Sequence, residues 1–158
     1  MKVCIENNNV LIENITDFTL SDTFDCGQCF RFNPAGNGGY IGTAYGKTVR
    51  ITQSSNTLTL HNTSEDDFKN IWCGFLDLDR DYGKIKESLT KSNDKVMDSA
   101  ITYGGGIRIL KQDLWETIVS FIISASNNIP RIKKIIESLC SNFGIAHIYE
   151  GKTYYSFP

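Results

Sequence analysis

No run of apolar residues in this 158-residue chain is long enough to cross a bilayer. The longest, around Ile118 to Ile123, falls far short of the ~20 residues a membrane helix needs. The first residues, Met1-Lys-Val-Cys-Ile-Glu6, also lack the apolar stretch of a signal peptide. Positive charge is not in surplus either: the formal net charge is −2, which by itself argues against a nucleic-acid binder. Cysteines do not come in an even set. There are five, and with no leader this points to a reducing cytoplasm rather than a secreted disulfide scaffold. What is present is a hydrophobic content of 41%, enough to bury the core of one domain or of two small ones.

The charge is unevenly spread. Residues 1–104 carry 10 Lys/Arg against 14 Asp/Glu, a balance of −4, whereas residues 105–158 carry 6 against 4, a balance of +2. A locally positive C-terminal part suits a protein that touches a polyanion through one face only. The first third reads as an antiparallel meander of strands over Gln28–Asn33, Tyr40–Tyr45, Thr48–Gln53 and Thr57–Asn62, separated by Gly-, Asn- and Ser-rich turns. From Ser64 the period changes, and Phe68, Ile71, Trp72 and Phe75 keep to one helical face. Tyr82, Ile85 and Leu89 suggest another helix. Gly104-Gly-Gly106 reads as a flexible joint, and the domain boundary is placed there, giving 1–104 and 105–158.

The most informative stretch runs from Gly105 to Arg131. Asp113 can cap a helix while Glu116 reaches back as in a capping box. Leu114, Trp115, Ile118, Val119, Phe121, Ile122 and Ile123 leave that helix hardly any polar face, so it is expected to run through the middle of a domain. A second helix carries Ile132, Ile135, Ile136, Leu139, Cys140 and Phe143 at helical spacing, with Gly144 to stop it and Lys133, Lys134 and Glu137 facing water. Between them Ser126, Asn127 and Asn128 supply short polar side chains, Asn128 can cap, and Pro130 favours helix initiation. With Arg131, Lys133 and Lys134 near its unpaired amides, this tip suits a phosphate backbone. Most Asn-rich helix junctions are nonetheless plain turns and most short Lys/Arg clusters are solvated faces, and spacing alone favours that plainer account.

Other motifs fail on their own chemistry. Asp77-Leu-Asp79-Arg-Asp81 mimics a calcium loop, but loop positions 6 and 12 hold Tyr82 and Ser88 instead of Gly and Glu. Gly46-Lys47-Thr48 echoes the end of a phosphate loop, yet Ile41 stands where the earlier glycine belongs. Cys26-Gly-Gln-Cys29 has no second pair for zinc and leads into a strand rather than opening a helix, so isolated thiols are the better account. His61 and His147 have no carboxylate or cysteine neighbours in sequence, and Lys111 and Asp113 are explained by helix-start roles. No metal and no cofactor are expected.

Two separated segments then resemble one family. Asp25-Cys26-Gly27-Gln28-Cys29-Phe30-Arg31-Phe32 is similar to the Gly-Gln-x-Phe-Arg-aromatic signature of the 8-oxoguanine DNA glycosylases. Gly106-Ile-Arg-Ile-Leu-Lys-Gln-Asp113, with Ser126-Asn-Asn-Ile-Pro-Arg131 and Leu139-Cys-Ser-Asn-Phe-Gly144, resembles the same family's helical core. The likeness extends from about Asp17 to the end. It implies an α+β fold: a twisted antiparallel sheet domain like that of the TATA-binding protein, followed by the start of an all-α helix-hairpin-helix glycosylase domain.

For function, the resemblance implies base-excision repair, with 8-oxoguanine flipped out of duplex DNA and excised by a bifunctional glycosylase/AP lyase. The glycine matching Gly27 would turn its carbonyl on N7 of the lesion, with Gln28 and Phe30 beside it as base-recognition residues. Ser126, Asn127, Asn128, Arg131 and Lys133 would bind DNA, the Asn run filling the vacated slot and Arg131 contacting the orphaned cytosine. Ser126 stands where the family often has Asn. In this family a lysine amine and an aspartate do the chemistry, and both would lie beyond Pro158. No catalytic residue is therefore assigned, and the chain alone is expected to be inactive. The aromatic end Tyr154-Tyr-Ser-Phe-Pro158 reads as unfinished, which points to a chain cut from something longer. Expected partners are double-stranded DNA containing 8-oxoguanine and no membrane, for a monomer or for a chain completed by a partner carrying the C-terminal half. The expected location is the cytoplasm, at a bacterial nucleoid, or the nucleus. A non-catalytic DNA-binding or scaffold module that kept the lesion-side loop is the alternative. A thiol redox or zinc module built on Cys26 and Cys29 is a third.

Overall fold

The computed structural model describes all residues from Met1 to Pro158. Six strands form one antiparallel sheet: β1 (Lys2–Glu6), β2 (Asn9–Glu13), β3 (Phe32–Ala35), β4 (Gly39–Ala44), β5 (Lys47–Ser54) and β6 (Thr57–His61), in the order β1-β2-β6-β5-β4-β3. The expected meander is β3 to β6. Its first strand begins later than the sequence pattern predicts, because Gln28–Arg31 is irregular and pairing starts only at Phe32. The β1–β2 hairpin was not foreseen. Its signal is Asn7-Asn8, both at positive φ (48° and 62°), the two-residue turn whose twist suits a hairpin.

Register puts Val10 opposite Leu60, Ile12 opposite Leu58, and Leu60 opposite Ile51, so one face of the sheet is continuously apolar. That face is covered by α1 (Leu20–Phe24) and by a helical run. The run comprises α2 (Glu65–Asp67), a π-helical turn (Phe68–Trp72) and α3 (Cys73–Phe75). Ser64 caps it through its side chain to Asp67 N, as expected of a helix start there. Phe24 stacks on Phe32 at 4.4 Å, and Trp72 meets Phe75 edge-on, filling the core with aromatic area. α4 (Tyr82–Thr90) lies where Tyr82, Ile85 and Leu89 placed it, and α5 (Lys95–Tyr103) follows with none of its residues buried. The false calcium loop has structural employment: Asp81 caps α4, and Asp77 pairs with Arg80 and Lys111.

The last helices are α6 (Leu114–Ser124) and α7 (Ile129–Phe143), followed by the hairpin β7 (Ala146–Tyr149) and β8 (Lys152–Tyr155). The hairpin was not foreseen. It lies on the sheet face opposite the core, where His147 Nε2 meets Thr48 Oγ1 at 2.7 Å, Tyr149 Oη donates to His61 O, and Arg50 pairs with Glu150 at 2.9 Å.

α6 does not run through a domain interior. Leu114 is 73% exposed, Trp115 60%, Phe121 76% and Ile122 66%, while the residues it buries are Glu116 and Ser120. Only one stripe of this helix meets the rest of the chain. On α7, Ile132, Ile136 and Cys140 are buried, whereas Ile135 and Phe143 remain exposed. Lys133 does not face water either: its ammonium donates to Phe32 O (2.8 Å) and Asn33 Oδ1 (3.0 Å), capping the open edge of β3.

Gly104–Gly106 is not a slack joint. Gly106 O accepts from Thr19 N and Thr23 Oγ1, and a Cβ on Gly106 would collide with Thr19, so the close approach requires glycine. Two residues on, the guanidinium of Arg108 is buried, donating to the carbonyls of Asp77 (2.7 Å), Arg80 (3.3 Å) and Thr16 (3.1 Å), with Tyr82 4.5 Å from its carbon. Arg108→Met keeps the apolar stem, orphans the Arg80 and Thr16 carbonyls and leaves Asp77 O only a 3.4 Å bond from Arg80 N. We expect it to cost on the order of 3 kcal/mol by denaturant unfolding, and a loss below about 1 kcal/mol would contradict this role.

Candidate nucleic-acid interface

After α1 ends at Phe24, the chain turns through Asp25–Arg31 without regular structure. Gly27 sits at φ +84°, which frees the turn from the strain a side chain would bring. Gln28 fixes the turn from inside. Its Nε2 donates to Thr23 O and Arg108 O, both at 2.8 Å, and its Oε1 accepts from Leu110 N at 3.0 Å. The backbone carbonyl of Gln28 is taken by Gln112 Nε2 at 2.6 Å, while that of Gly27 accepts no hydrogen bond. The Gln28 side chain is thus committed to the protein's own backbone. Phe30 likewise packs inward, against Ile132, Ile136 and Cys140.

Arg31 ties this turn to the helical layer, donating to Cys140 Sγ at 3.0 Å and to Tyr155 O. As a result Gly27 faces the start of α7: a Cβ on Gly27 would lie 3.9 Å from Ile129 Cδ1. The turn and the helix junction therefore share one edge. At that junction Ser126 takes a positive φ (55°) and is exposed. Asn127 Nδ2 donates to Ile123 O, closing the end of α6, and Asn128 Oδ1 accepts from Arg131 N at 3.0 Å, capping α7 as expected. Arg131 is exposed and forms no ion pair within the chain, so its guanidinium is available beside the positive end of a 15-residue helix. Of the residues picked out in sequence, Gly27, Ser126, Asn128 and Arg131 come together at this edge. Gln28, Phe30 and Lys133 serve its internal construction. Sequence reasoning missed Gln112 altogether, since nothing in its spacing marks it.

The thiols do not form a reactive pair. Cys29 is buried, and burial pushes its pKa up to about 12; Cys140 is pushed up to about 11 for the same reason. Cys26 is exposed and donates to Thr23 O. No group of three or more His, Cys, Asp or Glu side chains is gathered closely enough to hold a metal ion. Lys111, itself exposed, pairs with the buried carboxylate of Asp77 at 2.8 Å rather than serving a helix start. Asp113 does cap α6, accepting from Glu116 N, but the Glu116 side chain turns inward instead of reaching back. Burial raises its carboxyl pKa to about 7, with Arg31 opposing and Asp113 adding to the shift.

A sequence model described as "8-oxoguanine DNA glycosylase, N-terminal domain" matches residues 10–118. The chain is similar to the N-glycosylase/DNA lyase OGG1 of Arabidopsis thaliana, at 28% identity over 150 residues, covering 90% of this chain and 40% of that protein. Among solved structures it is similar to MBOgg1 in complex with a low-affinity DNA ligand, with a TM-score of 0.95 at 50% identity, covering 99% of this chain and 54% of that one. A TM-score of 0.95 at 43% identity relates it to the Clostridium acetobutylicum 8-oxoguanine glycosylase/lyase in complex with double-stranded DNA containing cytosine opposite 8-oxoG, covering 100% of this chain and 54% of that one. The chain thus spans about half of these relatives or less.

The buried carboxyl gives a pH signature. Between its ordinary 4.5 and about 7 the folded state binds the Glu116 proton more tightly than the unfolded state, so this group lowers stability as pH rises through that window. His61, held below its ordinary 6.5 by burial, contributes the opposite slope, so the variant must be compared with wild type. Glu116→Gln should remove the Glu116 slope and stabilise the protein at pH 8 by on the order of 2 kcal/mol. Parallel stability–pH curves for the two proteins would contradict the assignment.

Proposed function

Given that the chain belongs to the 8-oxoguanine DNA glycosylase family, we propose that it is the lesion-recognition half of a DNA glycosylase/lyase acting on duplex DNA that contains 8-oxoguanine. The observation that carries this is the approach of Gly27, whose carbonyl accepts no hydrogen bond, to the N-terminal turn of α7 at Ile129. Guanine presents a lone pair at N7, whereas 8-oxoguanine presents an N–H there, so a carbonyl aimed at N7 attracts the lesion and repels the normal base. That difference can be read only on a base taken out of the stack, at a cost of a few kcal/mol. The nearby junction supplies what such a step requires: Ser126 and Asn128 at the vacated slot, and the uncommitted Arg131 for the opposite cytosine.

Excision and strand cleavage belong to polypeptide outside these residues. Lys111 and Lys133 are committed to Asp77 and to the edge of β3, burial raises the pKa of both Cys29 and Cys140, and the exposed Cys26 thiol donates to Thr23 O, so no free lysine amine stands at the Gly27 turn. The exposed apolar face of α6 supports the same division of labour, since Leu114, Trp115, Phe121 and Ile122 in water suit a surface made for further helices. Those helices would come from a longer chain or from a partner carrying the C-terminal half, at a bacterial nucleoid or in a nucleus. A free-standing DNA-binding scaffold draws less support, because it would leave that face bare.

Borohydride trapping tests this reading. Joined after Pro158 to the remaining part of the Clostridium acetobutylicum relative, the chain should form a covalent adduct with an 8-oxoguanine:cytosine duplex, and the 158 residues alone should form none. Absence of an adduct from the joined, folded protein, or an adduct from the 158 residues alone, would contradict it.

A further inference from the structure

We infer that Gln112 and Gln28 are positioning residues that set how sharply the Gly27 turn tells 8-oxoguanine from guanine, by anchoring the peptide that follows Gly27 so that its free carbonyl is held in one direction. The inference rests on the recognition role proposed above for Gly27.

A guanine and its 8-oxo form share the donors N1–H and the exocyclic amine, and only N7 changes from acceptor to donor. Contacts to the shared donors stabilise both bases equally and cancel from the ratio, so discrimination rests on how firmly a carbonyl is held toward N7. At this turn the neighbouring polar groups are all engaged. Gln28 O, one peptide on from the reading carbonyl, is closed off by Gln112 Nε2 at 2.6 Å. Gln28 Oε1 is closed off by Leu110 N, and both protons of Gln28 Nε2 are spent on Thr23 O and Arg108 O. Gly27 O alone of these groups is left without a donor.

The bonds also fix direction. The Gln28 side chain spans from the end of α1 to the Arg108–Leu110 backbone, and Gln112 pulls the following peptide toward the start of α6. Gln28 is held through both its side chain and its own carbonyl, so the peptide that follows Gly27 is anchored at its far end on the Thr23 and Arg108–Leu110 backbone. Gln112 is half-buried and lies one residue before the α6 cap Asp113, so its reach is itself set by the cap.

The test compares Gln112→Met, close in size but without a donor, with Gln112→Lys, which restores one. The measurement is the ratio of affinities of the 158-residue chain for 8-oxoguanine:cytosine and guanine:cytosine duplexes, read beside amide exchange of Gln28–Phe30. The Met variant should lose roughly fivefold in that ratio, the worth of one hydrogen bond, with faster exchange at the turn, and the Lys variant should recover it. A folded Met variant with the wild-type ratio overturns the inference while leaving the recognition reading intact. A wild-type ratio of one overturns the reading and the inference with it. Should the Met variant fail to fold, Gln112→Glu and Gln112→Lys carry the comparison, and equal ratios for those two overturn it.

Discussion

The extended segment from Gly106 to Asp113 is the constraint on which the edge formed by Gly27 and the start of α7 depends. It is held at nearly every residue: Gly106 O by Thr19 and Thr23, Arg108 by its buried guanidinium, Ile109 N by Tyr82 Oη, Leu110 N by Gln28, Lys111 N by Phe75 O, and Gln112 by the Gln28 carbonyl. Extended backbone that leaves a sheet must satisfy its polar groups elsewhere, and here side chains and backbone groups of the first 82 residues do so. The same bonds that satisfy the segment fix the Gly27 turn. One set of hydrogen bonds thus serves folding and presentation together.

The second attachment runs through Arg31, Lys133 and the β7–β8 hairpin, on the other side of the sheet. Arg31 reaches Cys140 and Tyr155, Lys133 caps the β3 edge, and Tyr149 and Glu150 grip β5 and β6. Clamped from both sides, α7 can present its N-terminal turn to Gly27 without a flexible joint between them. The surface left over divides by chemistry. The edge between Gly27 and Arg131 carries the free Gly27 carbonyl, Ser126, Asn128 and the unpaired Arg131, whereas α6 and the outer stripe of α7 are apolar, with Ile118, Phe121, Ile122, Ile135 and Phe143 all exposed. A polyanion suits the first surface and packed helices suit the second.

Much of this was legible in the residues, and the failures have physical causes. The meander, the helix starts at Ser64 and Asp113, the Asn128 cap and the buried stripe of α7 follow local rules, because caps and periodicity act over a few residues. The β1–β2 hairpin escaped because its first strand is exposed on both faces and shows no alternation, leaving only the Asn7-Asn8 turn to announce it. α6 looked like a core helix by composition, but the partner that would bury Leu114 or Phe121 is not among these residues, and periodicity cannot report what covers a face. Gln28 and Phe30 sit inside a recognisable motif, yet their side chains turn inward, and it is the Gly27 carbonyl beside them that is left without a hydrogen bond. Glu116 and Gln112 were misjudged or missed because long-range partners, not neighbours, decide what their side chains do.

Titrating the 15N-labelled chain with an 8-oxoguanine:cytosine duplex, while following the amides of Gly27 and Gln28 together with those of Asn128 and Arg131, asks whether the turn and the helix tip form one surface. Both groups of signals should move with a single midpoint, and the amides of β1, at the far edge of the sheet, should stay still. Movement of one group without the other, or two separate midpoints, would contradict a shared lesion-facing edge.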